Sequence, residues 1–390
     1  MFLRRNTLRR QNSNSTISAW REVNILVPDA AFANYYAEKF RIWGKIMFNR
    51  LSFIFVRTLV FAIALLTLAS TLALTAAAQE PEPVSPPIAN PNDKRFKDVT
   101  EDWTTPSLSG SHLIPASPVD LVDDSHPGYT LELLQLQWRW GDPLDVYVLK
   151  PRGVKKPPVI LNLYGFPTDT DPYKNEIFDT ALTKDGFAAV GFVCALTGHR
   201  YHDRPMREWF VSDLQESLGT TAHDVQMVLY YLEARGDLDM NRVGMFGQGT
   251  GATIAILASA VDPRIKVLDV LDPWGDWPDW IATSPVVPED ERADYLKPEF
   301  LEKAATVETL DWLPKIQAKK FRMQQNTFET DTPTAIKAKL RAAVPPGTAF
   351  AFYKTIPEFK AAFPYSTNLE WMEHELRMLT VATSAARQPQ

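Results

Sequence analysis

A glycine-rich turn at residues 247–251, Gly-Gln-Gly-Thr-Gly (here called the elbow), lies between two apolar segments. Two kinds of chemistry use such a turn. In the pattern Gly-x-Ser-x-Gly, small residues allow a sharp bend that presents a serine nucleophile to a carbonyl carbon. In the pattern Gly-x-Gly-x-x-Gly/Ala, which Gly247, Gly249 and Ala252 match, the turn binds a dinucleotide pyrophosphate. An acidic residue about 20 positions on, here Asp269, would then bind the ribose.

The place of the elbow in the chain favours the first pattern. A dinucleotide fingerprint normally opens its βαβ unit near a domain start, whereas long stretches of predicted sheet and helix precede Gly247. The segment DLDMNRVGMFGQGTGATIAILASAVDPRIK resembles the acid-rich lead-in, strand, elbow, helix and next strand of the α/β-hydrolase superfamily. Secreted dienelactone hydrolases and prolyl-oligopeptidase catalytic domains are the members it resembles most. The resemblance covers roughly residues 130–385.

The resemblance implies a site around the elbow. Gly249 stands where relatives carry the serine nucleophile. The Leu-Tyr-Gly-Phe segment that ends at Phe166 takes the place of the His-Gly oxyanion loop. The backbone N–H groups of Phe166 and Thr250 would therefore form an oxyanion hole. Tyr164 and Gln248 adjoin these donors and are predicted to contact the substrate.

The same resemblance places an acid and a histidine after the elbow. Relatives usually carry the acid about four residues before a proline, which makes Glu329 the candidate, ahead of Pro333, and Asp331 the reserve. The histidine should follow the next predicted strand, but the loop 356–367 contains none. His374, within a predicted helix, is the only histidine after the elbow and the remaining candidate for the base.

The glycine at the nucleophile position is the main departure from the family pattern. Gly249 has no side chain that can attack a carbonyl carbon. Thr250 cannot take over, because Gln248 would then stand where the bend needs a small residue. The sequence therefore predicts a hydrolase-family protein, with weak or absent activity, that acts on or binds an ester- or amide-like small molecule. The alternatives are a non-catalytic ligand-binding protein that uses the old active-site cleft, and a dinucleotide-binding enzyme.

A polar loop follows the predicted strand that ends near residue 196. It contains His199, His202 and Asp203, and it lies at the sheet edge where ligands bind in open α/β folds. We expect a loop that contacts substrate or a hydrogen-bonded structural turn, with a metal site as a minor alternative.

An aromatic segment follows the predicted strand at 265–272. Trp274, Trp277 and Trp280, here called the tryptophan cluster, alternate with aspartates and prolines. They predict either a pocket for a sugar or an aromatic ligand, or the packing that anchors a lid.

The alternation of apolar runs predicts the fold. Residues 130–139 and 143–152 flank a Gly-Asp turn and predict an antiparallel edge hairpin. From residue 157 onward strands alternate with helices, which predicts a mostly parallel sheet with helices on both faces. This is the α/β-hydrolase fold that the resemblance implies, in a domain at 128–385. Residues 273–318 break the alternation and predict a small lid insertion.

The beginning of the chain predicts export. Residues 59–78 are apolar and uncharged, follow two arginines and end in three alanines, as is typical of a secretory signal peptide. An uncleaved membrane anchor is the alternative. Translation from Met47 would make 47–78 the signal peptide and 1–46 an extension that arises from start-codon choice. Residues 79–127 are predicted to be a linker and irregular segment, and the protein to be secreted or periplasmic.

Charge and cysteine content exclude several functional classes. Residues 1–78 contain 10 Lys or Arg and 3 Asp or Glu, although the whole chain has a net charge of −6. The remainder is therefore acidic, which excludes a basic nucleic-acid binder. The single cysteine, Cys194, excludes an intrachain disulfide and a site of several thiolates. We expect no cofactor and no metal, a small-molecule ligand, and membrane contact only through an uncleaved signal segment.

Overall fold

The computed structural model describes residues 96–163, 165–168, 170–201 and 208–385. The extension, the signal peptide and part of the linker that the sequence predicts lie outside the described residues, as do Tyr164, His202 and Asp203. Within these ranges, no helix combines the length and the apolar composition needed to cross a membrane.

A nine-stranded sheet forms the centre of the described chain. The strands are β1 (Val119–Ser125), β2 (Tyr129–Gln137), β3 (Pro143–Pro151), β4 (Pro158–Leu163), β5 (Ala188–Phe192), β6 (Asp239–Gln248), β7 (Ile265–Leu271), β8 (Lys320–Asn326) and β9 (Ala349–Tyr353). Their spatial order is β1-β2-β3-β5-β4-β6-β7-β8-β9. The pairs β1–β2, β2–β3 and β3–β5 are antiparallel, and all the others are parallel. The mostly parallel sheet and its antiparallel hairpin are thus confirmed.

Helices follow most of the parallel strands. In the described residues they are α1 (Glu176–Thr183), α2 (Leu214–Arg235), α3 (Thr250–Val261), α4 (Trp277–Thr283), α5 (Arg292–Tyr295), α6 (Pro298–Ala305), α7 (Thr309–Trp312), α8 (Thr334–Ala343), α9 (Ile356–Ala362) and α10 (Glu370–Ala385).

The described residues form two apolar cores, one on each face of the sheet, because side chains along a strand point alternately to the two faces. In β4, Val159 and Leu161 belong to the core that α2 and α3 cover, whereas Ile160 between them belongs to the core that α1, α9 and α10 cover. Successive strand residues point to opposite faces, so a continuous apolar run is buried on both sides. This explains why β4 and β5 contain almost only apolar residues.

The first strand, β1, corrects the prediction of an irregular segment up to residue 127. It pairs antiparallel with β2 and forms the edge of the sheet. Its sequence, VDLVDDS, is exposed at six of its seven positions. A strand with so little buried surface lacks the alternation of apolar and polar residues by which strands are recognised.

The segment predicted as a lid, 273–318, contains the short helices α4 to α7. Its apolar side chains, among them Trp277, Val287 and Leu313, join the same core as α2 and α3. The segment is therefore packed onto the body of the protein along much of its length.

Candidate functional site

The elbow is a sharp strand–turn–helix connection in the middle of the sheet. Strand β6 ends at Gln248, α3 begins at Thr250, and Gly249 between them has φ 56° and ψ −121°. The Gly249 N–H donates to the carbonyl oxygen of Leu271 in β7 at 2.9 Å. Its own carbonyl oxygen accepts hydrogen bonds from the first turn of α3. Because a positive φ is rarely adopted by residues with a side chain, the backbone here suits glycine.

Close packing within the elbow explains its other glycines. A Cβ on Gly247 would stand 2.2 Å from the carbonyl oxygen of Gly251. A Cβ on Gly165, in the predicted oxyanion loop, would stand 2.1 Å from Oγ1 of Thr250 and 2.5 Å from the Gly251 nitrogen. Neither distance leaves room for a side chain, so the loop before Phe166 lies directly against the start of α3.

This packing places both predicted oxyanion donors in one region. Phe166 follows Gly165, and Thr250 is the first residue of α3. Among the described residues, neither backbone N–H has a hydrogen-bond partner. The ring of Phe166 packs against Phe210, with 5.5 Å between ring centroids. The arrangement agrees with an oxyanion hole, which stays a prediction.

The tip of the elbow meets few of the described residues. Among them, a Cβ on Gly249 would have a single neighbour within 4 Å, the indole Nε1 of Trp274 at 3.7 Å. Gln248, next to it, is exposed to solvent. A serine would therefore fit the available space, although the backbone conformation would be strained.

The tryptophan cluster is buried beside the elbow. Trp274, Trp277 and Trp280 are each at most 2% exposed. The rings of Trp274 and Trp280 are stacked with centroids 4.5 Å apart, and Trp277 meets Trp280 edge to face. The indole of Trp277 donates to the carbonyl oxygen of Val307 in the lid segment. This position of Trp277 fits the lid-anchoring alternative, whereas Trp274 borders the elbow itself.

The candidate acid, Glu329, lies in the loop after β8. Its Oε2 is 2.8 Å from Nζ of Lys337 in α8, and its carboxylate accepts N–H groups from the backbone of Asp331 and Thr332. Lys337 also lies 3.2 Å from Oδ1 of Asp272, and only 5% of this lysine is exposed. Glu329 is therefore part of a buried cluster of charges.

The two aspartates near Glu329 are shifted towards the protonated form. Burial raises the pKa of the Asp272 carboxyl, although Lys337 opposes the shift. Burial, together with the nearby charge of Glu329, raises the pKa of Asp331 to about 6. The Asp331 carbonyl oxygen accepts hydrogen bonds from Trp280 and Ser284, so the loop is tied to the tryptophan cluster.

The structure does not bring His374 to the elbow. His374 lies on the exposed side of α10, whereas Met372 and Leu376 of the same helix are buried in the core. The segment that should hold the histidine forms α9, which begins with a capping box between Thr355 and Glu358. No described contact joins His374 to Gly249 or to Glu329.

The polar loop after β5 is held by a buried cation. Arg200 is 2% exposed, and its guanidinium donates to Asp142 at 2.6 Å and to Asp224 at 2.8 Å. Arg139 joins the same cluster through Asp224. These contacts support the structural-turn interpretation of this loop. The side chain of His199 lies outside the described part of the structure, so its predicted contact with substrate stays a prediction.

Asp269 argues against the dinucleotide alternative. Its carboxylate is fully buried and accepts hydrogen bonds from Arg322 at 3.0 Å and Gln324 at 2.9 Å. Tyr353 and Asn368 extend this network through Gln324. Asp269 therefore holds neighbouring strands and the start of α10 together, and it is not available to bind a ribose.

The charged residues that organise the site, chiefly Arg200 and Lys337, carried no recognisable signal in the sequence. Lysine and arginine side chains are mostly exposed, so a solvated side chain is the usual expectation for both. Partners such as Asp142 for Arg200 and Asp272 for Lys337 are far away in the chain. Among the described residues, no group of three or more His, Cys, Asp or Glu is arranged to hold a metal ion.

Comparison with known proteins gives no match by sequence but several matches by structure. No protein-family model and no curated protein matches the sequence. Among the solved structures that match, two have TM-scores above 0.5. Acetyl xylan esterase 1 from Thermoanaerobacterium sp. has a TM-score of 0.54 and 12% identity, covering 69% of this chain and 89% of its own. The acetyl xylan esterase from Paenibacillus sp. has a TM-score of 0.55 and 12% identity, covering 72% and 97%.

At such low identity the likeness is one of fold. The mostly parallel sheet with its helices agrees with this likeness. The described chain therefore has the α/β-hydrolase fold.

Proposed function

We propose that this protein binds an ester- or amide-like small molecule at the elbow and hydrolyses it weakly or not at all. The observation that carries the proposal is Gly249, which occupies the tip of the elbow with φ 56° and has no side chain. The acetyl xylan esterase names of the two structural neighbours make esters the first class of compound to test.

Two missing groups account for the weak chemistry. A covalent acyl-enzyme needs a nucleophile, and glycine supplies none. A serine hydroxyl would in turn need a base within about 3 Å, directly or through one water. His374 is exposed on α10, and the segment 356–367 contains no histidine. The backbone donors of Phe166 and Thr250 still favour a carbonyl oxygen at this place.

Residual hydrolysis is the second candidate function. An oxyanion hole and a binding site can retain some rate enhancement over water after the triad is lost. The N–H groups of Phe166 and Thr250, which have no partner among the described residues, favour this candidate.

The test is to measure turnover and binding on the same purified protein. A panel of p-nitrophenyl and acetyl esters should give no turnover, or turnover only slightly above the buffer rate. Calorimetric titration with slowly reacting amides of the same acyl groups should give saturable binding. Efficient turnover of any ester would contradict the proposal, and so would a complete lack of both binding and turnover.

Export is a separate part of the proposal and rests on residues 47–78 alone. If the signal peptide is cleaved after the three alanines, the mature protein begins near Gln79. N-terminal sequencing of exported material should find that residue. A stable membrane species that retains residues 59–78 would instead support the anchor.

A further inference from the structure

We propose that the elbow binds a carboxylate, held by the indole N–H of Trp274 together with the backbone N–H groups of Thr250 and Phe166. The inference rests on the proposed function. It deepens that function by naming a carboxylate as the group of the small molecule that the elbow binds most tightly.

The indole N–H of Trp274 is the first observation. Trp277 and Trp280 donate their indole N–H groups to backbone carbonyl oxygens, of Val307 at 3.2 Å and of Asp331 at 2.8 Å. The indole of Trp274 has no such partner among the described residues, and only 2% of the residue is exposed. Its Nε1 is not one of the described polar atoms that are fully enclosed without a partner, so this N–H reaches open space and is available to an acceptor from outside the chain.

The position of this donor is fixed by its surroundings. The ring is stacked on Trp280. The backbone N–H of Trp274 donates to Oγ1 of Thr253 at 2.9 Å, and that hydroxyl donates back to the Trp274 carbonyl oxygen at 2.8 Å. Nε1 therefore stays 3.7 Å from the place where a Cβ on Gly249 would stand. In this chain, an N–H donor adjoins the space that a nucleophile side chain would fill.

The N-terminus of α3 adds a second set of donors at the same place. The carbonyl oxygen of Gly249 accepts from Ala252 and Thr253, both at 3.1 Å, while no described group accepts from Thr250. Helix α3 has 12 residues and no acidic side chain in its first turn. The positive end of its dipole therefore faces the elbow without local neutralisation, which favours a negative charge.

The donor set favours a carboxylate over a neutral group. A carboxylate has two oxygens with about four acceptor sites, so it can satisfy several N–H groups at once. Hydrogen bonds to a charged acceptor are also about twice as strong as those to a neutral carbonyl. Asp272, two residues before Trp274, does not take this role because it already accepts from Asn326 and lies against Lys337.

The test compares acids with their neutral amides. Benzoate and acetate, with benzamide and acetamide as matched neutral probes, are titrated into the purified protein by calorimetry. Trp274→Phe keeps the ring and removes the donor, and it should weaken benzoate binding roughly ten- to a hundred-fold. Trp277→Phe is the control, because its N–H donates to Val307, and benzoate should bind this variant with wild-type affinity.

A second variant covers the case in which Trp274→Phe does not fold. Gly249→Ala places a methyl group 3.7 Å from Nε1 of Trp274 and should also abolish benzoate binding. Circular dichroism and thermal melting establish that each variant is folded. Inorganic phosphate, added as a competitor, distinguishes a carboxylate site from a general anion site.

The outcomes separate this inference from the proposed function. Weaker benzoate binding in both Trp274→Phe and Gly249→Ala, without competition by phosphate, supports the inference. Unchanged benzoate affinity in Trp274→Phe, equal competition by phosphate, or binding of amides without acids overturns it. In the last case the proposed function still stands. If neither acids, amides nor esters bind or react, both fail together.

Discussion

The Nζ of Lys337 lies 2.8 Å from Oε2 of Glu329. Glu329 stands where the resemblance places the acid that would orient a catalytic histidine, yet here its partner is a buried lysine. The same ammonium lies 3.2 Å from Oδ1 of Asp272, so it links the loops that follow β7 and β8. The acid position therefore contributes to the ion pairs that hold the two loops together.

Lys337→Met should destabilise the protein by about 3–5 kcal/mol at pH 8, because it leaves buried carboxylates without their cation. The loss should be smaller at pH 5, since burial already raises the pKa of Asp272 and the carboxyl can take up a proton. Urea unfolding at the two pH values measures both effects. Lys339→Met is the control, as Lys339 lies on the same helix and forms exposed ion pairs. An equal change in the two variants would refute the prediction.

Gly249→Ser alone should not create an efficient esterase. The side chain has room, but a hydroxyl without an adjacent base is a poor nucleophile. The substitution should also cost roughly 1–2 kcal/mol of stability, because φ is 56° at this residue. Ester turnover and thermal unfolding are measured for wild type, Gly249→Ser and Gly249→Ala. The alanine variant has the backbone strain without the hydroxyl group, so it separates the two effects. A gain in turnover of several orders of magnitude would reveal a base, and His374→Ala would then identify it.

Asp331→Asn should stabilise the protein by about 1–3 kcal/mol at pH 7.5. Burial raises the pKa of Asp331 from 3.8 to about 6, so the folded state favours the protonated acid. The ionised carboxylate therefore opposes folding increasingly as the pH rises from about 4 to about 6. Asparagine removes this charge and keeps the backbone contacts to Trp280 and Ser284. Denaturation curves should converge below pH 4, and a difference independent of pH would contradict the assignment.

Arg200→Met should cost about 3–5 kcal/mol, because Asp224 and Asp142 would lose a buried cation. Asp224 is fully buried, so water cannot replace the guanidinium there. Chemical denaturation gives the change in free energy of unfolding. Lys297→Met, at an exposed ion pair with Asp294, provides the comparison and should leave the midpoint unchanged. A similar small effect for Arg200→Met would show that the buried pairs contribute little.

The sheet and its helices could be predicted because the information is local. The apolar run of β4 is buried on both faces, and Gly247 at the elbow is required by its close contact with Gly251, four residues on. Local patterns of this kind survive in a single sequence. Strand β1 has no such local pattern, because its side chains face solvent and show no apolar periodicity. The sequence therefore does not predict it.

The charged partners of the site could not be predicted because they depend on distant contacts. Nothing near Arg200 indicates that Asp142 and Asp224 will meet it, and nothing near Lys337 indicates Asp272. Trp274, Trp277 and Trp280 were identified as a group, but only the packing distinguishes the indole at the elbow from the two that anchor neighbouring loops. The sequence thus predicted the region of the site and left its electrostatics open.

The outer strand β1 has a consequence for how molecules of this protein meet one another. Strands at the edge of a sheet offer unpaired backbone groups to any other chain in extended conformation. Here Asp120, Asp123 and Asp124 lie on that edge, and the register shifts between Asp120 and Val122. A strand of a second molecule would have to pack beside these carboxylates and follow the irregularity. The negative charges and the register shift of β1 thus disfavour the addition of a strand from a second molecule at this edge of the sheet.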